Sequence, residues 1–384
     1  MRIGEVPRLA ALAVALVAPG GGSAQAQERD EVVVGVLLPS DAGDRRAMER
    51  GAAVAAAGSE RAAGPRIRIV ARAAPRAWGA ESDVAAKLLC DDGACGIVAP
   101  PDRTASHLAA QFAAKARAPV ATLSTAHALT RVPLPWVVRV VPDETATLAA
   151  LLAAVPPRDG RRVLLAFVTP GREGDRVAET VAHAATAAGF DLLPVVRPGL
   201  VAEDREAGVA SALTHGADAV LLAAGAAEGA AALRGLRAAG WRGTALGGPA
   251  ETETLAAAAG DAAEGLVLAH LFDPAATPAA RAFRDAYATR YAEEPGAVAA
   301  AAHDAVLLVA RAAKSCGGTN DDARAALLAA PALDGATGRI SFDSSGDREG
   351  VSPLVRVRAG KLEPLAAQRQ AGDRPPPAEG AGGR

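Results

Sequence analysis

The sequence predicts an α/β protein made of two similar doubly wound lobes, each a parallel sheet covered by helices. Three observations carry this. From Glu31 onward short β-like runs alternate with helical patterns, the rhythm of a helix-wrapped parallel sheet. The runs "EVVVGVLL", "GIVAP" and "ADAVLLA" lack polar alternation, as strands buried on both faces do. The same rhythm restarts after "VPPRDGRR", so the second half looks like the first.

Ahead of the first strand, "MRIGEVPR" places Arg2 and Arg8 before the apolar run "LAALAVALVAP". "SAQAQ" then supplies Ala24-Gln25-Ala26. Charge, apolar run and small-x-small site are the order of a cleavable secretory signal, so residues 1–26 are read as one. The run is shorter than the ~18 residues of a membrane span, and Pro19 ends it. No cysteine follows the cleavage point to carry a lipid, and no later segment is long and apolar enough to span. The mature chain is expected to be soluble and exported.

The elements then follow in order. "EVVVGVLL" is a strand and "DRRAMERGAAVAAAG" a helix. "RIRIVAR" is a strand, and the helix "ESDVAAKLL" ends at the Asp91-Asp92-Gly93 turn. "GIVAP", "TASHLAAQFAAKA" and "PVATL" continue as strand, helix and strand. The second series runs "VLLAFV", "DRVAETVAHAATAAG" and "FDLLPVV", with Gly189 as the helix C-cap. "EAGVASALTHG", "ADAVLLA", "AAEGAAALRGLRAAG" and "GTALGG" repeat helix and strand. "ETETLAAAAGD" is a short capped helix and "EGLVLAHLF" a strand. Two long helical patterns follow from Ala276 to Gly318. "GRISFD" and "LVRVRAGKLEPL" look like strands with a hairpin. Residues 367–384 are Pro/Gly-rich and polar, and are read as a disordered tail.

Composition narrows the function classes. A formal net charge of -2 over 384 residues gives no basic footprint for nucleic acid. Lysine occurs only at Lys87, Lys115, Lys314 and Lys361, so nearly all positive charge is arginine. Of the three cysteines, Cys90 and Cys95 bracket "DDGA", and Cys316 stands far away. In an exported protein a short-loop disulfide between Cys90 and Cys95 and two free thiols are both open. No cysteine has histidines at zinc-ligand spacing, so no metal site is expected. There is no Gly-x-Ser-x-Gly elbow, no phosphate loop and no His-Glu-x-x-His, and the six histidines are scattered singly. One hydroxyl-dense stretch stands out, "VATLSTAHALT", where Ser124, Thr125 and His127 lie close together.

Taken as a set, several segments resemble the leucine/isoleucine/valine-binding protein family, the exported substrate-binding proteins of ABC transporters. "VVVGVLLPSDAG" is similar to its first strand and loop. "AKLLCDDGACGIVAPPDRTASHLAAQFAAKARAPVATLSTAHALT" is similar to its next β-units and Ser/Thr loop. "GDAAEGLVLAHLFDP", "FRDAYATRYAEEPGAVAAAAHDAVLLVARA" and "LDGATGRISFDSSGDREG" resemble its later segments. The resemblance covers roughly Val32 to Leu365. It implies the type I periplasmic-binding fold: two lobes joined by three crossovers, with a small ligand between them. Lobe 1 would comprise 31–141 plus 271–340, and lobe 2 would comprise 142–270 plus 341–366.

The resemblance also implies site residues. The family's carboxylate-binding loop falls on "APPDRTASH", so Asp102, Arg103 and Thr104 are its nearest matches. Arg103 would replace a hydroxyl contact with a salt bridge. Asp102 or Thr104 equally serves as the N-cap of the helix that follows. Ser124 and Thr125 match the Ser/Thr loop, and His127 is read as a partly exposed loop histidine. A family Tyr-Gly pair becomes Glu173-Gly174, a second family aromatic falls near Gly225, and a family acid falls near Ala250 and Glu251. The aromatic clamp is therefore missing. Trp78 either faces the cleft or packs as an ordinary core residue. Glu173 with Arg103 suggests a ligand carrying both charge signs or several polar groups.

The expected function is capture of a small polar ligand, an amino acid or similar, and its delivery in the periplasm to ABC permease subunits by a monomer. No cofactor and no catalysis are expected. A ligand-sensing receptor component of the same fold is the alternative. An exported hydrolase using Ser124 and His127 is the remote one, since no orienting acid lies near them in the sequence.

Overall fold

The computed structural model describes residues 31–365, apart from 61–65, 76–78, 132–135, 158–159, 199–201, 249, 251–252 and 316–322. The expected signal peptide and C-terminal tail lie outside the described residues, as do Trp78, Glu251 and Cys316.

The chain starts with β1 (Glu31–Leu38), α1 (Ala42–Ser59), β2 (Arg66–Ala73), α2 (Ala80–Ala86), β3 (Ile97–Ala99) and α3 (Arg103–Ala116). β4 (Val120–Thr122), the short α4 (Ala128–Arg131) and β5 (Val137–Arg139) follow. The five strands form a wholly parallel sheet in the order β2-β1-β3-β4-β5.

The second series is α5 (Glu144–Ala153), β6 (Arg162–Val168), α6 (Arg172–Ala187), β7 (Phe190–Leu192), α7 (Ala202–Thr214) and β8 (Ala219–Ala223). It ends with α8 (Ala226–Ala238), β9 (Thr244–Gly247), α9 (Glu253–Ala259) and β10 (Val267–Ala269). The chain then returns to the first sheet as α10 (Pro278–Tyr291), α11 (Ala297–Ser315), α12 (Ala323–Ala329) and the hairpin β11 (Leu333–Gly335) and β12 (Gly338–Ile340). Finally β13 (Leu354–Arg358) and β14 (Lys361–Pro364) join the second sheet, whose order is β14-β13-β10-β9-β8-β6-β7. Its core β7-β6-β8-β9-β10 repeats the winding of the first sheet, and in this sheet only the β10–β13 and β13–β14 pairings are antiparallel.

Each sheet is buried on both faces, which is why its strands carry no polar alternation. In β1, Val32, Val34, Val36 and Leu38 pack into the cluster that holds α1 and α11, while Leu37 joins the α2 and α3 cluster on the other side. In β8, Val220 and Leu222 face α8, and Leu221 faces α5 and α6.

Two local readings change. "FDLLPVV" does not form one long strand: β7 ends at Leu192, and Val196 rejoins Phe167 by a single bridge. Pro194 stands between and has no N–H for a ladder. The helix "ESDVAAKLL" passes at Lys87–Asp91 into a π-helical turn. No disulfide joins Cys90 to Cys95, one of the two arrangements the sequence left open. Cys90 is exposed at the end of that turn, whose Leu88 packs on the α2 and α3 side of the sheet. Cys95 packs against the opposite, α1 and α11 cluster.

The chain passes between the sheets three times, at 140–143, 270–277 and 341–353. The first and third passages are bonded side by side. Arg139 is fully buried, and its Nε donates to Asp347 Oδ1 at 2.9 Å. Its Nη2 donates to Thr130 Oγ1 at 2.7 Å and to the His127 carbonyl at 3.1 Å. Arg348 Nη1 donates to the Val140 carbonyl at 2.9 Å. A buried charge pair held by further hydrogen bonds is costly to break, so these passages are tied into one strap.

Candidate functional site

In an open parallel sheet the ligand position is the switch point at the carboxyl ends of the strands. Here there are two switch points, between β1 and β3 and between β6 and β8. The turns that leave them, Pro101 to Arg103 and Thr169 to Glu173, line one cavity of about 210 Å³. Ser124, Thr125, Glu144, Gly225 and Ala250 complete its wall. The two lobes therefore meet at their switch points around a space for a small molecule.

Arg103 is the centre of this cavity. Asp102 accepts the Ala105 N–H at 2.6 Å, caps α3 and so places Arg103 in its first turn. Arg103 Nη2 donates to Glu144 Oε2 at 2.8 Å. Its Nε donates to Glu173 Oε1 at 2.6 Å, across the cleft to the start of α6. Burial pulls the guanidinium pKa down, but Glu144 and Glu173 outweigh it, and the net direction is up. The two carboxylates differ. The Glu144 side chain is 4% exposed and its Oε1 also accepts the His127 N–H at 3.0 Å, whereas the Glu173 side chain is 47% exposed. Glu144 is thus a buried counter-ion with a second partner, and Glu173 a solvent-exposed one.

Of the predicted residues, Arg103, Ser124, Thr125 and Glu173 are brought together on the cavity wall. Asp102 and Thr104 are not: both are exposed, Asp102 as the helix cap. Ser124 is buried, and its Oγ accepts the Ala126 N–H at 3.4 Å. His127 is partly exposed as expected, but it is partnered: its Nδ1 lies 2.8 Å from Asp143 Oδ2. Asp143 in turn caps α5 through the Thr145 and Ala146 N–H groups. The Ser124 and His127 side chains thus have separate partners, and no hydrogen bond joins them among the described residues.

Gly174 has a steric reason to be glycine. A Cβ there would lie 1.5 Å from the Thr169 carbonyl oxygen, so α6 starts directly against the end of β6. At Gly225, φ is +85°, a conformation open to glycine. No side-chain hydrogen bond caps α6 at Gly171 or α8 at Gly225.

Sequence reasoning missed Glu144, Thr169 and a second compartment. A smaller cavity of about 90 Å³ adjoins the first, and the two share Pro101, Thr125 and Ala250. Its wall is mainly apolar, with Leu123, Val141, Leu271 and Val298, and Glu253 lies at its edge. The only sequence signal for Glu144 was an Asp-Glu pair before an apolar run, which reads first as a helix start. The apolar wall comes from four separate segments, and no local pattern announces it.

Comparison with known proteins agrees with this geometry. A family profile described as "Periplasmic binding protein" matches residues 31–361. Among curated proteins nothing matches. Similar solved structures include an ABC transporter substrate-binding protein from Desulfitobacterium hafniense in complex with Leu. It is 20% identical, with a TM-score of 0.73, covering 87% of this chain and 100% of that one. A leucine binding protein, LivK, from Thermotoga maritima is 21% identical, with a TM-score of 0.73 over 87% of this chain and 98% of its own. A solute binding protein of an ABC transporter from R. palustris, in complex with benzoate, is 19% identical, with a TM-score of 0.71 over 87% and 95%. At these identities the structures speak for the fold. With two sheets wound alike, a cavity at their facing switch points and a profile spanning nearly all the described residues, the chain belongs to the periplasmic binding protein family.

Proposed function

We propose that the protein captures a small polar solute, an amino acid or similar, between its lobes in the periplasm and presents it to ABC permease subunits. The observation that carries this is Arg103, buried between the lobes with one buried and one solvent-exposed carboxylate. A ligand carboxylate takes the place of Glu173 on Arg103, and Ser124 and Thr125 add hydrogen bonds. Glu173, once released, is available to a ligand cation. The adjoining apolar compartment takes the remainder of the ligand. The ligands named for similar structures, Leu and benzoate, are small carboxylates with an apolar body and suit this division. Among the described residues no helix is long and apolar enough to cross a membrane, in keeping with a carrier acting outside one.

A thermal-shift screen over amino acids, amides, organic acids and polyamines tests the reading. A ligand that binds only the folded state raises the melting temperature. No shift from any class would overturn it. A ligand-sensing receptor component of the same fold would give the same shift, and transport by a reconstituted permease separates the two.

A further inference from the structure

The cleft lies at the carboxyl ends of the strands, but the largest unexplained charge cluster lies at the opposite end of lobe 2. There Arg237, Arg242 and Arg356 line one basin of about 690 Å³, beneath the amino ends of β9 and β10. Arg237 comes from the last turn of α8, Arg242 from the loop after it and Arg356 from the middle of β13. The first two are held close together: Arg237 Nη1 and Arg242 Nη1 both donate to the Trp241 carbonyl, at 3.2 and 3.1 Å. None of the three has a carboxylate partner among the described residues. Arg356 Nε is buried and makes no hydrogen bond. Burial, and then the neighbouring Arg242, lower the Arg237 pKa, so the repulsion is not relieved.

Folded proteins rarely gather guanidiniums without a counter-ion, and a buried donor left without an acceptor is costly. We propose that Arg237, Arg242 and Arg356 form a binding site for a phosphate-type tetrahedral oxyanion, separate from the ligand cleft. Arginines from three different elements line the basin and suit an anion with several acceptor oxygens, with the Arg237 fork also donating to the Trp241, Gly243 and Glu264 carbonyls. Asp261 and Glu264 line the same basin, leaving its wall with three arginines against two acids, which suits a small anion and disfavours a long polyanion. The Glu264 carboxylate already accepts the Ala359 N–H at 2.9 Å, so it is not free to turn in as a counter-ion.

The test compares phosphate with chloride at matched ionic strength on the full-length mature protein. Phosphate is expected to raise the melting temperature by roughly 3–5 °C at saturation. Arg356→Gln and Arg242→Gln should each remove most of that rise, and Arg103→Gln in the cleft should leave it intact. In chloride, Arg356→Gln should melt no lower than wild type, because it deletes an unpaired donor. Crystals soaked in selenate should show an anomalous peak among the three guanidiniums. Absence of a phosphate effect would overturn the proposal, as would one that survives both lobe 2 variants or disappears with Arg103→Gln. Binding to phosphatidylglycerol vesicles with no response to inorganic phosphate would also overturn it, since the surface would then serve a lipid headgroup.

Discussion

Arg103 is bound to the two carboxylates unequally, and this makes its removal informative. In Arg103→Ala the 4%-exposed Glu144 side chain keeps, among the described residues, the His127 N–H as its hydrogen-bond partner. An orphaned buried charge costs on the order of 3 kcal/mol, so this variant should melt lower and lose carboxylate ligands. Arg103→Lys keeps the charge but cannot reach two carboxylates with one rigid fork, so it should fold better than the alanine variant and still bind weakly. Calorimetry and thermal melts separate the two. Asp143 gives a pH prediction. Burial pushes its carboxyl up, but Arg139 and then His127 outweigh this and hold it low. Its folded pKa lies below the unfolded value of about 3.9. The stability it supplies is therefore present above that value and lost as pH falls through the lowered one. In acid titrations followed by circular dichroism, Asp143→Asn should lose this part of the acid transition. At neutral pH the cap itself should survive, since asparagine caps about as well as aspartate, and any loss of stability should come from the missing charge beside Arg139 and His127. Equal acid profiles would contradict the assignment.

At the scale of elements, the start of α6 matters most. It carries Glu173 into the cleft, and it does so because Gly174 lets the helix sit on the Thr169 carbonyl. Gly174→Ala must push α6 away from β6. Overpacking of this kind costs about 1–3 kcal/mol. The variant should also weaken any ligand that bridges Arg103 and Glu173, which calorimetry would show as a Kd increase larger than the stability loss alone explains. Legibility varied between elements for physical reasons. β1, β6 and β8 were readable because fully buried strands are continuous apolar runs. β5 and α5 were not marked out: β5 is three residues long, and α5 is alanine- and leucine-rich nearly all round, so its buried face does not stand out. The π-helical turn at Lys87–Asp91 has no sequence signature, although its Leu88 packs into the α2 and α3 side of the core.

For the whole molecule, the Arg103–Glu173 pair is a bond between the lobes. Glu173→Gln weakens it. The free variant should therefore sample more open shapes, with a larger radius of gyration by small-angle scattering than free wild type. Ligand at 100 times its Kd should stabilise the wild type by about 2.7 kcal/mol and bring both proteins to the same compact shape. Identical scattering for the two free proteins would show that the pair does not govern closure. The strap of Arg139, Asp347 and Arg348 sets what can move: the first and third passages must bend together, since their side chains and backbone are bonded to each other.

The α/β class and the repeated winding follow from the sequence alone, because burial on two faces and alternation of strand with helix leave a one-dimensional trace. The cleft residues Arg103, Ser124, Thr125 and Glu173 came from the resemblance to the family, and each stands at the end of a readable strand or the start of a readable helix. Tertiary structure decided the rest. It turned Asp102 into a cap, gave His127 a partner in Asp143, and brought Glu144 against Arg103 from 41 positions away. It placed Glu173 opposite Arg103 across 70. Such pairings depend on how two lobes face each other, and chain order carries no term for that.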